Sequence, residues 1–457
     1  TSRVPNPELE TMKQTHFSLF LGFFVFQYSW AQEEVLTLET ARAAIINDLL
    51  DQQKSLNLID DTVDECMISE TESCNLSELS DEHTTVIFPG GESQCIFSDS
   101  APYSFQVVRG DPKKILFYFQ GGGACWNEYS TGREPLCSTE ASPSSLTGIF
   151  SRDISKNPDY YNHTFIQVLY CSGDVHAGNT TRPYNEYGTT NPIKQKGAIN
   201  TLSVLQWLSN QNLGILDELV MGGTSAGSVG AQVWADWIID HIPSTYTSML
   251  FDSFAGVFPP GAVGPMVKSF GVCNTPILQA WPDLQEKCIS QELSLQDLVL
   301  NALAAHPKQT FAHINSKTDA IQQAYYIMIG GLNETLDAYI TPTIYYQEVN
   351  QIFEQYHTYP NHVAFLVDAS KHVYTNTQLF FTADTNSMSG SDGISERLFD
   401  WVGSMPLGGG HGDTNLTWAC AGDHMTLAEA ISSEAKPQSY CDSSLTDRVI
   451  YASIIPN

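Results

Sequence analysis

Short apolar runs alternate with helix-like patterns along the chain from about residue 84 onward. Several runs are apolar almost throughout, as are strands that are covered on both faces of a sheet. These runs and the later strand candidates lie at 115–119, 165–170, 218–222, 248–258, 309–317 and 362–372. Apolar residues at helical spacing follow at 197–211 and 228–242. Strands that alternate with helices predict an α/β fold with a mostly parallel central sheet flanked by helices.

The pattern before residue 84 is different. Residues 33–56 place Leu38, Ala41 and Ile45 at helical spacing, which predicts a helix, and acidic, polar sequence follows. We therefore expect residues 32–83 to form an acidic N-terminal helical appendage and residues 84–457 to form the main domain.

Residues 12–31 resemble a secretory signal peptide. They contain Met12, Lys13, an apolar run at 17–26 and small residues at 29 and 31, before a cleavage point at Gln32. An uncleaved N-terminal anchor is the alternative, but the run is shorter than the roughly 20 residues of a membrane-spanning helix. We expect a secreted, extracellular protein with no stable membrane span after cleavage. Residues 1–11 lie upstream of this start and do not enter the fold prediction.

Ten cysteines, none in a CxxC pair, accompany this leader and predict a disulfide-containing fold. Proximity favours four pairs, although spacing alone does not fix connectivity: Cys66/Cys74, Cys125/Cys137, Cys273/Cys288 and Cys420/Cys441. Five sequons would accept N-glycans in the same compartment: Asn75, Asn162, Asn179, Asn333 and Asn415. No metal-ligand spacing is present, so we expect neither a metal nor a cofactor.

The composition limits the partners. A chain of 457 residues at 42% hydrophobic is globular, and its formal charge is −30. That charge excludes binding to a nucleic-acid backbone and would repel a polyanionic carbohydrate.

Candidate chemistry lies at Ser225, in the sequence GGTSAGSVGA. Gly223, Ser225 and Gly227 match the G-x-S-x-G pattern, in which a serine nucleophile stands on a tight turn between a strand and a helix. A glycine-rich turn with a bystander serine is the plain alternative.

A second glycine cluster makes the alternative weaker. Gly121, Gly122 and Gly123 directly follow the apolar run at 115–119. Backbone N–H donors after an early strand, together with the residue after the nucleophile, stabilise the oxyanion in acyl transfer. Gly122, Gly123 and Ala226 are therefore the expected oxyanion hole. A phosphate cradle is excluded because the glycine spacing of such loops is absent.

Six motifs in order resemble the pectin acetylesterase family, which also contains the Notum-type carboxylesterases. These motifs are FYFQGGGACWN, VLYCSGDVHAGN, GAINTLSVLQWL, GGTSAGSVGA, LFDSFAGVF and HINSKTDAIQQ, within about residues 84–380. The resemblance implies a metal-independent serine esterase on an α/β-hydrolase-like fold. It implies Ser225 as nucleophile, Asp319 as triad acid and His372 as base, in the order Ser, Asp, His of α/β-hydrolases.

Other residues compete for two of these roles. Four further histidines follow Asp319, of which His411 in GGGHGD is the strongest rival: His357, His362, His411 and His424. Asp368 and Asp337 are alternatives for the acid, and Asp252 is interpreted as structural support. Trp126, Asp174 and His176 are expected to contact substrate or to orient the oxyanion loop.

We expect a secreted carboxylesterase that removes acetyl groups from a polysaccharide. Two alternatives remain: a Notum-type enzyme that removes a fatty acyl group from a protein, and a non-catalytic binding protein on the same scaffold. A small pocket at Ser225 would favour acetate, whereas a long apolar tunnel would favour a lipid.

Overall fold

The computed structural model describes residues 36–56, 63–81, 83–332, 338–385, 397–405, 417–420 and 423–426. The strands are β1 Val63–Met67, β2 Thr84–Phe88, β3 Phe105–Val108, β4 Asp111–Phe119, β5 His163–Val168, β6 Thr180–Asn185, β7 Pro192–Gln195, β8 Leu216–Thr224, β9 Ser244–Asp252, β10 Thr310–Ser316, β11 His362–Val367, β12 Thr417–Cys420 and β13 Asp423–Thr426. The helices are α1 Leu38–Leu56, α2 Gly197–Asn210, α3 Ala226–His241, α4 Val263–Ser269, α5 Pro276–Gln279, α6 Pro282–Ser290, α7 Leu295–Ala305, α8 Ala320–Gly331, α9 Pro342–Tyr356, α10 Leu379–Thr382 and α11 Leu398–Gly403.

Eleven of these strands form one sheet in the order β1-β2-β3-β5-β4-β8-β9-β10-β11-β12-β13, and β6 and β7 pair separately. From β5 to β12 every neighbouring pair is parallel, whereas β3 runs antiparallel to β2 and β5, and β13 is antiparallel to β12. The α/β-hydrolase-like fold with a mostly parallel sheet is therefore confirmed. The carboxyl ends of β4, β8, β9, β10 and β11 meet at one edge, where loops carry the candidate residues.

Two hydrophobic cores cover the two faces of the sheet. In β4, Phe117 and Phe119 pack into one core while Leu116 and Tyr118 pack into the other. Successive side chains of a strand point to opposite faces, so a strand buried on both sides must be apolar at consecutive positions. This requirement explains the uninterrupted apolar runs of the sequence.

The segment predicted as an N-terminal appendage is integrated with this sheet. β1 pairs in parallel with β2, and Ala41 and Ile45 of α1 are buried in the larger core. Leu38 packs against Gly331 at the end of α8. The acidic composition of residues 32–83 had suggested a separate element, but one face of α1 is apolar and docks on the main fold.

Four disulfides are present among the described residues. Three of them confirm favoured pairs: Cys66–Cys74, Cys125–Cys137 and Cys273–Cys288. The fourth joins Cys95 to Cys171 across 76 residues, a pairing that proximity in the sequence does not indicate. The remaining favoured pair, Cys420/Cys441, involves Cys441, which lies outside the described residues.

Several predictions fall on residues that the structure does not describe: residues 1–11, the signal peptide at 12–31, Asn333, Asp337, His411 and Asn415. Asn162 and Asn179 are exposed and Asn75 is partly buried. Within the described ranges, no helix has the length and apolar character needed to cross a membrane.

Candidate active site

Ser225 stands alone between β8, which ends at Thr224, and α3, which begins at Ala226. Its φ of 55° and ψ of −121° lie outside the regions that a serine ordinarily adopts. A Cβ on Gly223 would collide with the backbone of Gly227, and one on Gly227 would collide with the carbonyl of Phe119. The glycines of the motif are therefore required because backbone segments approach closely around the strained serine.

The second glycine cluster lies beside this turn. Gly122 and Gly123 have φ of 146° and 69°, and a Cβ on Gly123 would collide with the Tyr325 hydroxyl. The loop is held because Ser138 N–H donates to the Gly122 carbonyl (2.7 Å). Among the described residues, no acceptor takes the N–H of Gly122, Gly123 or Ala226. These free donors have the character that an oxyanion hole needs.

Asp319 and His372 form a buried, hydrogen-bonded pair. Asp319 follows β10 as the N-cap of α8, where its Oδ1 accepts from the N–H groups of Ile321 and Gln322, each at 3.0 Å. Gln322 Nε2 also donates to Asp319 Oδ2 (2.9 Å). The Asp319 carboxylate, which is 0% exposed, accepts from His372 Nδ1 at 2.8 Å and 3.0 Å. Because Nδ1 carries this proton, Nε2 of the neutral ring is the basic nitrogen.

The loop that carries His372 is anchored to the end of β9 by Asp252. Asp252 Oδ2 accepts from the N–H groups of Tyr374 (2.9 Å) and Thr375 (2.6 Å) and from the Thr375 hydroxyl (2.7 Å). Its Oδ1 accepts from Ser253 Oγ (2.8 Å). The same strand end receives the Ser225 N–H at the Asp252 carbonyl (2.9 Å). One strand end thus holds both the serine turn and the histidine loop.

Ser225 and His372 line the same cavity. His372 Nε2 is buried and has no hydrogen-bond partner within the described chain, and it makes no hydrogen bond to Ser225 Oγ in this conformation. Such contacts are often long in ligand-free enzymes and shorten when substrate binds.

The pKa of His372 is raised above its usual value of 6.5. Burial by itself lowers this pKa, but the charge of Asp319 and its hydrogen bond outweigh burial, and the charges of Asp48 and Asp252 act in the same direction. The surroundings therefore stabilise the imidazolium that forms when a base takes a proton.

Asp174 and His176 lie behind the oxyanion loop and do not line the cavity. His176 Nε2 donates to the Gln120 carbonyl (2.8 Å), and burial lowers the pKa of His176 to about 4, so the ring is neutral. Burial raises the pKa of Asp174 to about 7, and its carboxylate accepts from Ser172 Oγ and the Gly197 N–H. These contacts fit orientation of the loop.

The other expected residues are also separated from the cavity. The Trp126 ring contacts Tyr325 with a centroid distance of 6.3 Å but does not line the cavity. His362 is the first residue of β11, at the end of the strand away from the cavity, and its ring is hydrogen-bonded to His313 (2.9 Å). Of the competing residues that the structure describes, only His372 pairs with Asp319 near Ser225.

The cavity at Ser225 and His372 is lined almost entirely by apolar side chains. Its volume is about 90 Å³. The lining comes from α3, α4, α7, α8 and the segment after β9, and includes Val229, Val233, Phe254, Val257, Phe258, Met266, Val267, Leu295, Leu298, Tyr326 and Ile329. Sequence reasoning did not identify this lining, because the residues are ordinary apolar positions of separate helices.

Comparison with known proteins identifies the family of the chain. A family model described as Pectinacetylesterase matches residues 92–406. Pectin acetylesterase 5 of Arabidopsis thaliana is 23% identical over 206 residues, which cover 43% of this chain and 47% of that protein. Human palmitoleoyl-protein carboxylesterase NOTUM is 25% identical over 177 residues, which cover 37% of this chain and 34% of that protein. The chain thus spans less than half the length of these curated relatives.

A solved structure of the Wnt deacylase Notum from Drosophila is 18% identical in sequence to this chain, with a TM-score of 0.45. The aligned region covers 70% of this chain and 92% of the Notum chain. The family match extends over well more than half of the 457 residues. By this match, the chain belongs to the pectinacetylesterase family.

Proposed function

We propose that this protein is a serine carboxylesterase that hydrolyses esters of medium-length or longer aliphatic acids through Ser225, His372 and Asp319. The observation that carries the proposal is the apolar cavity that opens at Ser225 and His372. An acyl chain bound there would place its carbonyl carbon at the serine.

In this mechanism His372 Nε2 takes the proton of Ser225 Oγ as the oxygen attacks the ester carbonyl. The N–H groups of Gly122, Gly123 and Ala226 would stabilise the oxyanion. His372 then donates its proton to the leaving alcohol, and the same residues in the same roles hydrolyse the acyl-enzyme with water. Asp319 keeps the ring in the required tautomer throughout, as its hydrogen bonds to His372 Nδ1 allow.

The size of the cavity favours a chain longer than acetyl. The cavity has a volume of about 90 Å³. Measured in the same way, a group the size of one water molecule needs roughly 10–15 Å³. The cavity therefore holds roughly six to nine such groups. Acetate offers one methyl group, whereas an octanoyl or decanoyl chain fills the space. The size of the cavity thus favours a fatty acyl substrate, the alternative raised by the sequence, over the predicted acetyl substrate.

Each buried methylene contributes about 0.8 kcal/mol, or roughly fourfold in kcat/KM if it is bound equally in the transition state. We expect kcat/KM on p-nitrophenyl esters to rise from two carbons to about eight or ten. Chain-length kinetics with wild type and Ser225→Ala, and labelling by a serine-reactive phosphonate, test the proposal.

Each alternative has its own outcome in this experiment. Highest kcat/KM at two carbons would support an acetylesterase and contradict the long-chain proposal. Folded wild-type protein that neither hydrolyses any ester nor reacts with the phosphonate would indicate a binding protein. Activity retained in Ser225→Ala would exclude Ser225 as the nucleophile.

A further inference from the structure

Helix α1 lies along α8 with an apolar face turned toward the core. Ala41 and Ile45 on this face are buried, and Asp48 follows them at the next position of the same helical stripe. Asp48 is partly buried although the preceding positions of its stripe, Ala41 and Ile45, are apolar. A carboxylate on the docking face of a helix has a desolvation cost that a solvent-facing carboxylate does not have.

The position of Asp48 follows from helix geometry. Leu38 at the first residue of α1 packs against Gly331 at the last residue of α8. Ten residues along either helix span about 15 Å. In an antiparallel pair, Asp48 then lies level with Ile321, in the first turn of α8 beside Asp319.

Two further contacts agree with this placement. Gln52, one turn after Asp48, donates to Asp48 Oδ2 (2.6 Å). Gln52 also lines a small polar cavity together with Gly121 of the oxyanion loop and Asn376 of the histidine loop. The end of α1 is therefore at the catalytic edge of the sheet.

We propose that Asp48 is a positioning residue for the reaction: its carboxylate stabilises the imidazolium form of His372 and adds to the effect of Asp319. This role rests on the proposed function, because it takes His372 as the general base. Asp48 acts across space and touches neither the ester nor the reacting atoms.

The charged and titratable groups around His372 come from four elements. Asp319 precedes α8, Asp252 ends β9, Asp48 belongs to α1, and Lys371 and Tyr374 flank His372 in its own loop. The pKa of Asp48 is raised above its usual value because burial outweighs the charges of His372 and Lys371, which act in the opposite direction. The effect of His372 on Asp48 is the reciprocal of the effect of Asp48 on His372. Lys371 is exposed, so solvent screens its charge more than that of Asp48.

The test is the pH dependence of kcat/KM on p-nitrophenyl octanoate for wild type, Asp48→Asn and Asp51→Asn. Asp51 is exposed on the same helix, so Asp51→Asn is a matched loss of one charge. For Asp48→Asn we expect the acidic limb to move down by about 0.5–1 pH unit and the plateau to fall about threefold to tenfold. Asp51→Asn should leave the limb at its wild-type position, and Asp48→Glu should restore it.

Two outcomes with folded variants overturn the inference. One is an unmoved limb in folded Asp48→Asn with a uniform loss of activity, which indicates a structural role only. Another is an equal shift in Asp51→Asn, which indicates a general effect of net charge. If Asp48→Asn does not fold, Asp48→Ser, a second neutral variant, must show the same shift. Wild type without esterase activity would instead refute the proposed function, and the inference with it.

Discussion

Asp252 offers a direct test of how the histidine loop is held. Its carboxylate is 0% exposed and accepts four hydrogen bonds, two of them from the backbone N–H groups of Tyr374 and Thr375. Asp252→Ala leaves those two N–H groups buried without an acceptor, whereas the hydroxyl groups of Ser253 and Thr375 can rotate. Each orphaned buried N–H costs about 1–3 kcal/mol, so the loss is about 2–6 kcal/mol.

This loss is measurable by thermal unfolding and by kinetics. For 457 residues the unfolding entropy is about 1 kcal/mol/K, so we expect Tm to fall by about 2–6 °C. Displacement of the His372 ring by an ångström is expected to lower kcat/KM on p-nitrophenyl octanoate by about 10²-fold.

Asp368→Ala is the matched control. Asp368 directly follows β11 in the same loop, and no hydrogen bond to its side chain occurs among the described residues. We expect its Tm within about 1 °C of wild type, as for surface substitutions. If Asp252→Ala matched Asp368→Ala in both Tm and kcat/KM, Asp252 would not support the histidine loop.

Four further predictions concern the base, its carboxylate partner, the serine turn and the disulfides. His372 must be neutral to accept a proton, and its pKa is raised above 6.5. We therefore expect kcat/KM to fall as the pH drops through a value above 6.5. A fall centred below pH 6.5 would contradict the assignment of His372 as the base. Asp319→Asn should lower kcat about 10⁴-fold at its pH optimum, and a loss under tenfold would exclude Asp319 as the partner that fixes the tautomer. Gly227→Ala forces a Cβ against the Phe119 carbonyl and should destabilise the fold by at least about 1–3 kcal/mol in urea unfolding; an unchanged midpoint would show that the turn relaxes freely. Replacing Cys95 and Cys171 by serine opens a 76-residue link and should cost about 4.5 kcal/mol, against about 2.5 kcal/mol for the 8-residue link of Cys66 and Cys74. The reverse order would refute the chain-entropy argument.

Much of the fold could be predicted from the sequence because it depends on local patterns. Strands buried on both faces are mostly apolar, so β4, β5 and β8 could be predicted from runs that are apolar almost throughout. The turn between strand and helix at Ser225 could be predicted for a similar reason. Backbone segments approach so closely there that Gly223 and Gly227 have no room for a Cβ, and this leaves the glycine pattern in the sequence.

The candidate pair Asp319 and His372 is less local. Chain order and family resemblance indicated it, but they left several rival histidines and acids. The hydrogen bonds of 2.8 Å and 3.0 Å between the two side chains depend on β10 and β11 being neighbours in the sheet. The sequence suggested that Asp252 has a structural role, but it did not show that Asp252 holds the histidine loop. The reason is that Asp252 lies 120 residues before His372 in the chain.

By itself, then, the sequence determined the central strands, helices α1 to α3, the glycine-dependent turn at Ser225 and the family, because each of these depends on patterns within short stretches of the chain. Only the tertiary structure decided the pairing of Cys95 with Cys171, the docking of α1 on α8 and the apolar cavity from which we propose a preference for long acyl chains. Those features arise where segments distant in the chain meet, and the apolar residues that line a ligand cavity have the same pattern in sequence as those that fill a core.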